Sequence, residues 1–158
     1  MTRPEPVVRA ARREDCEAIA TLASELREAL GEPRGLLTGE RILADGFGAS
    51  PEFELLLAEL DGEAVGYALY MPTYEPAYGA RGLFLADLYV RSAARGLVSC
   101  RSRCSAVRDA AELDGRVFVW WVSDPAIARS ESFYEELGVQ MQTLVKARAF
   151  VLVPVPPA

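Results

Sequence analysis

Residues 83–111 read LFLADLYVRSAARGLVSCRSRCSAVRDAA. The first eight form an apolar strand interrupted by a single acid, Asp87, and residues 91–95 make a short turn. Leu97, Cys100, Cys104, Val107 and Ala111 then recur at three- and four-residue steps, which predicts a helix reaching about Leu113. A strand, a tight loop and a helix N-terminus in succession bring free backbone N–H groups and the positive end of the helix dipole together. That arrangement suits an anion.

Working outward, residues 6–11 read as a short opening strand. From Glu14 an amphipathic helix follows, with Cys16, Ile19, Ala20, Ala23, Leu26 and Leu30 in one stripe, ended by Gly31 as C-cap and Pro33 as breaker. Thr38 is placed to cap a second helix over residues 39–44, closed by Gly46 and Gly48. The intervening loop, residues 32–37, is expected near any site on this side of the fold. Residues 54–60 and 63–70 read as antiparallel strands joined at Asp61-Gly62, a strong hairpin signal. Residues 72–82, rich in Pro, Gly and Tyr, read as a loop.

Beyond the central stretch, Asp114-Gly115 punctuates, and RVFVWWV at residues 116–122 predicts a nearly all-apolar, central strand. A helix is expected through residues 133–137, ended by Gly138, and residues 139–145 and 147–153 read as a closing antiparallel pair. The order β-α-α-β-β-β-α-β-α-β-β specifies an α/β fold. Its sheet is expected to be mixed and mostly antiparallel, with about seven strands and four flanking helices. With no internal repeat or linker, residues 1–158 read as a single domain.

The composition narrows the chemistry. A net charge of −6 argues against a nucleic-acid binder relying on a basic face. The absence of histidine removes His-based metal sites, Ser-His-Asp triads and Cys-His pairs. Cys16, Cys100 and Cys104 form no disulfide framework, and the latter two lack a third ligand, so no metal is expected. No signal peptide and no membrane span are visible, which leaves the cytoplasm as the expected location.

Asp87 inside an apolar strand needs a partner, whether structural or functional, because a buried carboxylate is costly alone. Arg91, Arg95, Arg101 and Arg103 either neutralise phosphates or form a solvated face. Tyr67, Tyr74 and Tyr78 are candidates for an amine site, with aromatic packing the commoner role for such residues. Glu25, Glu28 and Glu32 either attract a cation or simply face solvent.

Four segments carry a likeness to a known family: LTGERILADGFG (37–48), ELLLAELDGEAVGYALYMPTYEP (54–76), LFLADLYVRSAARG (83–96) and SFYEELG (132–138). With the element order, they resemble the GNAT acetyltransferases, most closely the diamine (spermidine/spermine) and thialysine N-acetyltransferase branch. The likeness covers nearly the whole chain. It implies acetyl-CoA as co-substrate, a small amine as acceptor, no metal, and a homodimer. It also implies a bulged fourth strand that splays from the fifth, with acetyl-CoA in the gap. Leu88, Tyr89 and Val90 would border the cofactor, whose pyrophosphate would lie on Arg95, Gly96, Leu97, Val98, Ser99 and Cys100.

The chain departs from the family pattern at three of these positions. Val98 and Cys100 stand where glycines are expected, and the loss of close backbone approach would weaken phosphate binding by on the order of several kcal/mol. Ala86 occupies the place of a glutamate in the family's L-E-D motif. The resemblance assigns catalysis to Asp87, on the fourth strand, and Tyr134, as acid toward the leaving thiolate. By simple alternation Asp87 faces away from position 86 unless the bulge turns it. Two readings follow. One is an N-acetyltransferase acting on a primary amine of a polyamine- or lysine-like molecule by direct attack. The other is a catalytically degenerate GNAT-fold dimer acting as a binding or regulatory module.

Overall fold

The computed structural model describes residues 6–95 and 100–123, with side chains described except at 100–104. The chain divides into two compact units, Met1–Trp121 and Val122–Ala158, and the elements below belong to the first. They are β1 (Val7–Ala10), α1 (Cys16–Leu30), α2 (Gly39–Phe47), β2 (Glu54–Leu60), β3 (Glu63–Glu75), β4 (Ala80–Val90), α3 (Cys100–Leu113) and β5 (Phe118–Trp120). The five described strands stand in sequence order, antiparallel from β1 to β4, with β5 parallel to β4. The sheet is mixed and mostly antiparallel, as the sequence implies. The expected helix at 133–137, the closing strands and Tyr134 lie outside the described residues.

Helices cover both faces. On one, Ile19, Leu22 and Ala23 of α1 and Ile42 of α2 pack on Leu55, Leu57, Tyr67 and Leu69. On the other, Val107 and Ala111 of α3 pack on Leu56, Ala68, Tyr70, Leu83 and Leu85. Over residues 67–71 of β3 the odd positions therefore face α1 and the even ones α3, the two-residue period of a strand with both faces buried. Gly31 ends α1 in the left-handed region (φ 68°), and Thr38 Oγ1 accepts from the Arg41 N–H at 3.2 Å to start α2. Asp61 and Gly62 both have positive φ, as a tight hairpin turn requires. Among the described residues no helix is long and apolar enough to cross a membrane.

Several expected boundaries move. Residues 72–82 are not a loop: β3 runs on to Glu75 and β4 begins at Ala80, so the pair continues past the end of β2. The last β2 partner on β3 is Tyr70, paired with Glu54. Beyond it that edge of β3 has no ladder partner among the described residues, and Pro72, which lacks an N–H, costs no described ladder bond on that side. α2 extends to Phe47, taking Gly46 inside the helix. β5 spans only three residues and stands at the end of the described sheet, so its expected central place depends on strands outside the described residues. Leu30, expected in the buried stripe, is exposed, while Leu22 is buried instead.

Two charge networks fix α1 to the sheet. The Arg9 guanidinium donates to Asp15 (2.7 and 3.0 Å) and to Glu59 (3.1 and 2.6 Å), tying β1, β2 and the start of α1 together. Near the other end of α1, Arg91 donates to Glu25 through Nε and Nη2 (2.8 to 3.2 Å), and the Tyr89 hydroxyl adds a bond at 3.2 Å. Hydrogen bonds from Arg9 and Arg91 hold the Asp15 and Glu25 carboxyls below the usual carboxylate range. A depressed folded-state pKa stabilises the fold above the unfolded value, about 4. That contribution disappears as pH falls through the folded value. The urea midpoint is therefore expected to drop below about pH 4. In an Asp15→Asn, Glu25→Gln double variant the acid drop should be shallower, and the neutral-pH midpoint lower.

Candidate active site

A single extra residue in β4 sets the geometry. β3 and β4 pair as Leu69↔Asp87 and Tyr70↔Leu85, which leaves Ala86 without a partner on β3. This β-bulge resets the alternation. Leu85 and Leu88 both pack toward α3, while Asp87 and Tyr89 turn toward α1. Ala86 and Asp87 consequently lie on one wall together, both lining a cavity of about 330 Å³. The opposite walls come from Ala23, Ser24 and Arg27 of α1 and from the loop at Pro33, Gly35, Leu36 and Leu37, the loop expected near the site.

The ladder between β4 and β5 ends at Phe84↔Trp120, two residues before Ala86. Among the described residues, positions 85–90 have no ladder partner on that edge of β4. The bulge and the parting of the two strands thus coincide. Leu88, Tyr89 and Val90 lie along this unpaired edge. Of their side chains, Leu88 packs toward α3, Tyr89 bonds Glu25, and Val90 is buried with Ala58, Val65 and Ala94.

Asp87 is only 16% exposed, and both its oxygens are engaged. Oδ2 accepts from the buried Tyr67 hydroxyl at 2.7 Å, and Oδ1 accepts from Arg27 Nη2. Burial first, and then the Asp87 charge, push the Tyr67 phenol far up, so it stays protonated and donates. Burial works against the Arg27 charge, but Asp87 and Glu32 outweigh it and the guanidinium is held more firmly protonated than usual. Arg27 Nη1 donates to Glu32 at 2.6 Å. Each Asp87 oxygen retains further lone-pair capacity toward the cavity, because a carboxylate accepts at about four positions.

The other candidates sort clearly. Arg91, open between a phosphate ligand and a solvated face, donates to Glu25 and to the Ala64 carbonyl (3.1 Å). Arg95 Nε donates to the Val90 carbonyl at 3.0 Å, anchoring the turn after β4. Residues 96–99, including Gly96, Leu97, Val98 and Ser99, lie outside the described residues; Cys100 opens α3. Glu28 and Glu32 face solvent while pairing with Arg34 and Arg27, and Glu25 is half-buried against Arg91. Tyr67 is fully buried behind Asp87, and Tyr74 and Tyr78 are exposed at the β3–β4 hairpin, so none of the three lines the cavity. Sequence reasoning missed Arg27. Its signal was its place four residues after Ala23, on the buried side of α1, where a cation requires a carboxylate.

The sequence profile described as the Acetyltransferase (GNAT) family matches residues 19–139. The chain belongs to this family. It is 38% identical over 98 residues to the thialysine N-epsilon-acetyltransferase of Mus musculus, covering 56% of this chain and 57% of that protein. It is 35% identical over 98 residues to the human spermidine/spermine N(1)-acetyltransferase-like protein 1, covering 57% of this chain and 14% of that protein. The GNAT chain therefore spans about half the length of the first of these relatives and a smaller part of the second. A solved aminoglycoside acetyltransferase from an uncultured soil metagenomic sample, in complex with sisomicin, superposes with a TM-score of 0.78 at 12% identity. That alignment covers 94% of this chain and 97% of the other, a likeness of fold.

Proposed function

We propose that the protein is an N-acetyltransferase that moves an acetyl group from acetyl-CoA to a primary amine of a small polyamine- or lysine-like molecule. The observation that carries this reading is the Ala86 bulge, which turns Asp87 into the cavity just where β4 parts from β5. An unpaired strand edge offers backbone donors and acceptors to an extended ligand, so the backbone at Leu88, Tyr89 and Val90 fits the acyl-carrying arm of coenzyme A. Arg95, Gly96, Leu97, Val98, Ser99 and Cys100 would take its pyrophosphate, with Val98 and Cys100 limiting how closely the backbone approaches.

An amine with pKa near 10 is almost fully protonated at neutral pH and cannot attack a thioester. Asp87, through a water on its remaining lone pairs, accepts that proton. The amine nitrogen then bonds to the acetyl carbon, the carbon–sulfur bond breaks, Tyr134 protonates the departing thiolate, and the nitrogen's second proton leaves through water, which reprotonates Tyr134. The reading includes a single domain over residues 1–158 and a homodimer.

Calorimetric titration with acetyl-CoA, followed by an acetylation assay on spermidine, lysine and thialysine, tests the reading. Absence of acetyl-CoA binding at millimolar concentration would overturn it in favour of the degenerate binding module. Tyr134→Phe is expected to lower kcat about tenfold with little change in amine KM. The loss is modest because a thiolate is a fair leaving group without prior protonation. An unchanged kcat would remove Tyr134 from the mechanism.

A further inference from the structure

Among the described residues, the charged side chains lining the cavity are one cation, Arg27, and one anion, Asp87. The rest of the lining is neutral, including Ala86, where the family resemblance places a glutamate. A second acid at that position would leave the wall net negative and suited to a dication. With Ala86 the charges of the described lining sum to zero, and that lining is dipolar. An incoming diamine meets Asp87 already paired to a guanidinium, and its second ammonium faces a like charge.

Arg27 is the group that this arrangement leaves available. Its Asp87 arm is shielded, but its other arm reaches Glu32, whose side chain is 47% exposed and does not line the cavity. Exposed ion pairs are weak and exchangeable. A ligand carboxylate entering from the cavity can therefore take the place of Glu32 on a planar donor fork that suits carboxylates.

Resting on the acetyltransferase reading, we propose that Arg27 makes this site selective for an amine that also carries a carboxylate. The reacting amine would lie at Asp87 and the carboxylate at Arg27, in preference to a diamine of the same length. The cavity volume of about 330 Å³ admits a molecule of amino-acid size.

L-Lysine and cadaverine differ only by the α-carboxylate and are the probes. Steady-state acetylation by the full chain should give a kcat/KM for lysine at least tenfold above that for cadaverine. Arg27→Gln should bring this ratio to about one or below, mainly through a raised KM for lysine, and Arg27→Lys should keep part of the preference. A ratio is insensitive to partial loss of folded enzyme, which lowers both rates alike. Cadaverine equal to or better than lysine, or a preference that survives Arg27→Gln, would overturn the proposal. Calorimetric binding of the two probes without acetyl-CoA reads the same discrimination when turnover is absent. Tighter lysine binding that Arg27→Gln abolishes would then uphold Arg27 as the selector while the acetyltransferase reading failed. Equal or undetectable binding of both probes would overturn the selector.

Discussion

Asp87→Asn is expected to reduce kcat/KM for amine acetylation by about a hundredfold or more, the usual scale for removing a positioned proton acceptor. Asparagine has nearly the same shape, so the cavity remains, but the amide offers one acceptor oxygen where Asp87 serves both Arg27 and Tyr67. One of those donors then faces an N–H₂ group, and the guanidinium of Arg27 keeps, among the described residues, only Glu32 as a counter-charge. The attendant loss of stability is about 1–3 kcal/mol. Urea unfolding of the variant separates the two effects. A protein still folded at assay temperature but a hundredfold slower per folded molecule places Asp87 in the proton path. Activity within about threefold of the native protein would confine the Asp87–Arg27–Tyr67 cluster to a structural role.

The parts of this site that were legible in the sequence are local, and those that were not depend on register. Gly31, Thr38 and the Asp61-Gly62 turn announce themselves because capping and positive φ restrict which residues fit. The strand at Asp87 and the helix ending near Leu113 follow from apolar periodicity. The direction of Asp87 does not, because alternation counts residues and the bulge at Ala86 inserts one. Only the family resemblance raised a bulge, and only the pairing of Leu69 with Asp87 and Tyr70 with Leu85 located it. The Arg27–Asp87 pair joins residues 60 positions apart. No local pattern links them, although each alone signals a buried charge in want of a partner. The β3–β4 extension was obscured by its composition. Pro72, Tyr74 and Gly79 look like loop residues, yet the first two sit on strand edges open to solvent and Gly79 supplies the left-handed turn residue.

Gly66→Ala is expected to be the most destabilising single methyl addition in the sheet, at about 3 kcal/mol, the upper part of the range for overpacking. Gly66 pairs with Val90 across β3 and β4. A Cβ there would stand 2.6 Å from the Tyr89 carbonyl oxygen and 3.2 Å from the Val90 Cα, besides meeting the Val90 Cγ2 methyl. The methyl could move by rotation, whereas the oxygen and Cα are backbone atoms held by the ladder. Relief therefore requires β4 to move away from β3. That movement is opposed at Arg91, whose N–H donates to the Val65 carbonyl at 2.9 Å and whose side chain donates to Ala64. With a urea slope of about 1–3 kcal/mol per molar, the midpoint should fall by on the order of 1–3 M with the slope unchanged. Because Asp87 lies three residues before Val90 on the same strand, the folded variant should also lose acetylation activity, by more than the small unfolded fraction explains. A midpoint within about 0.3 M of the native value would mean that the β3–β4 spacing at Gly66 yields easily. The close approach of these strands would then not be what holds Asp87 in the cavity.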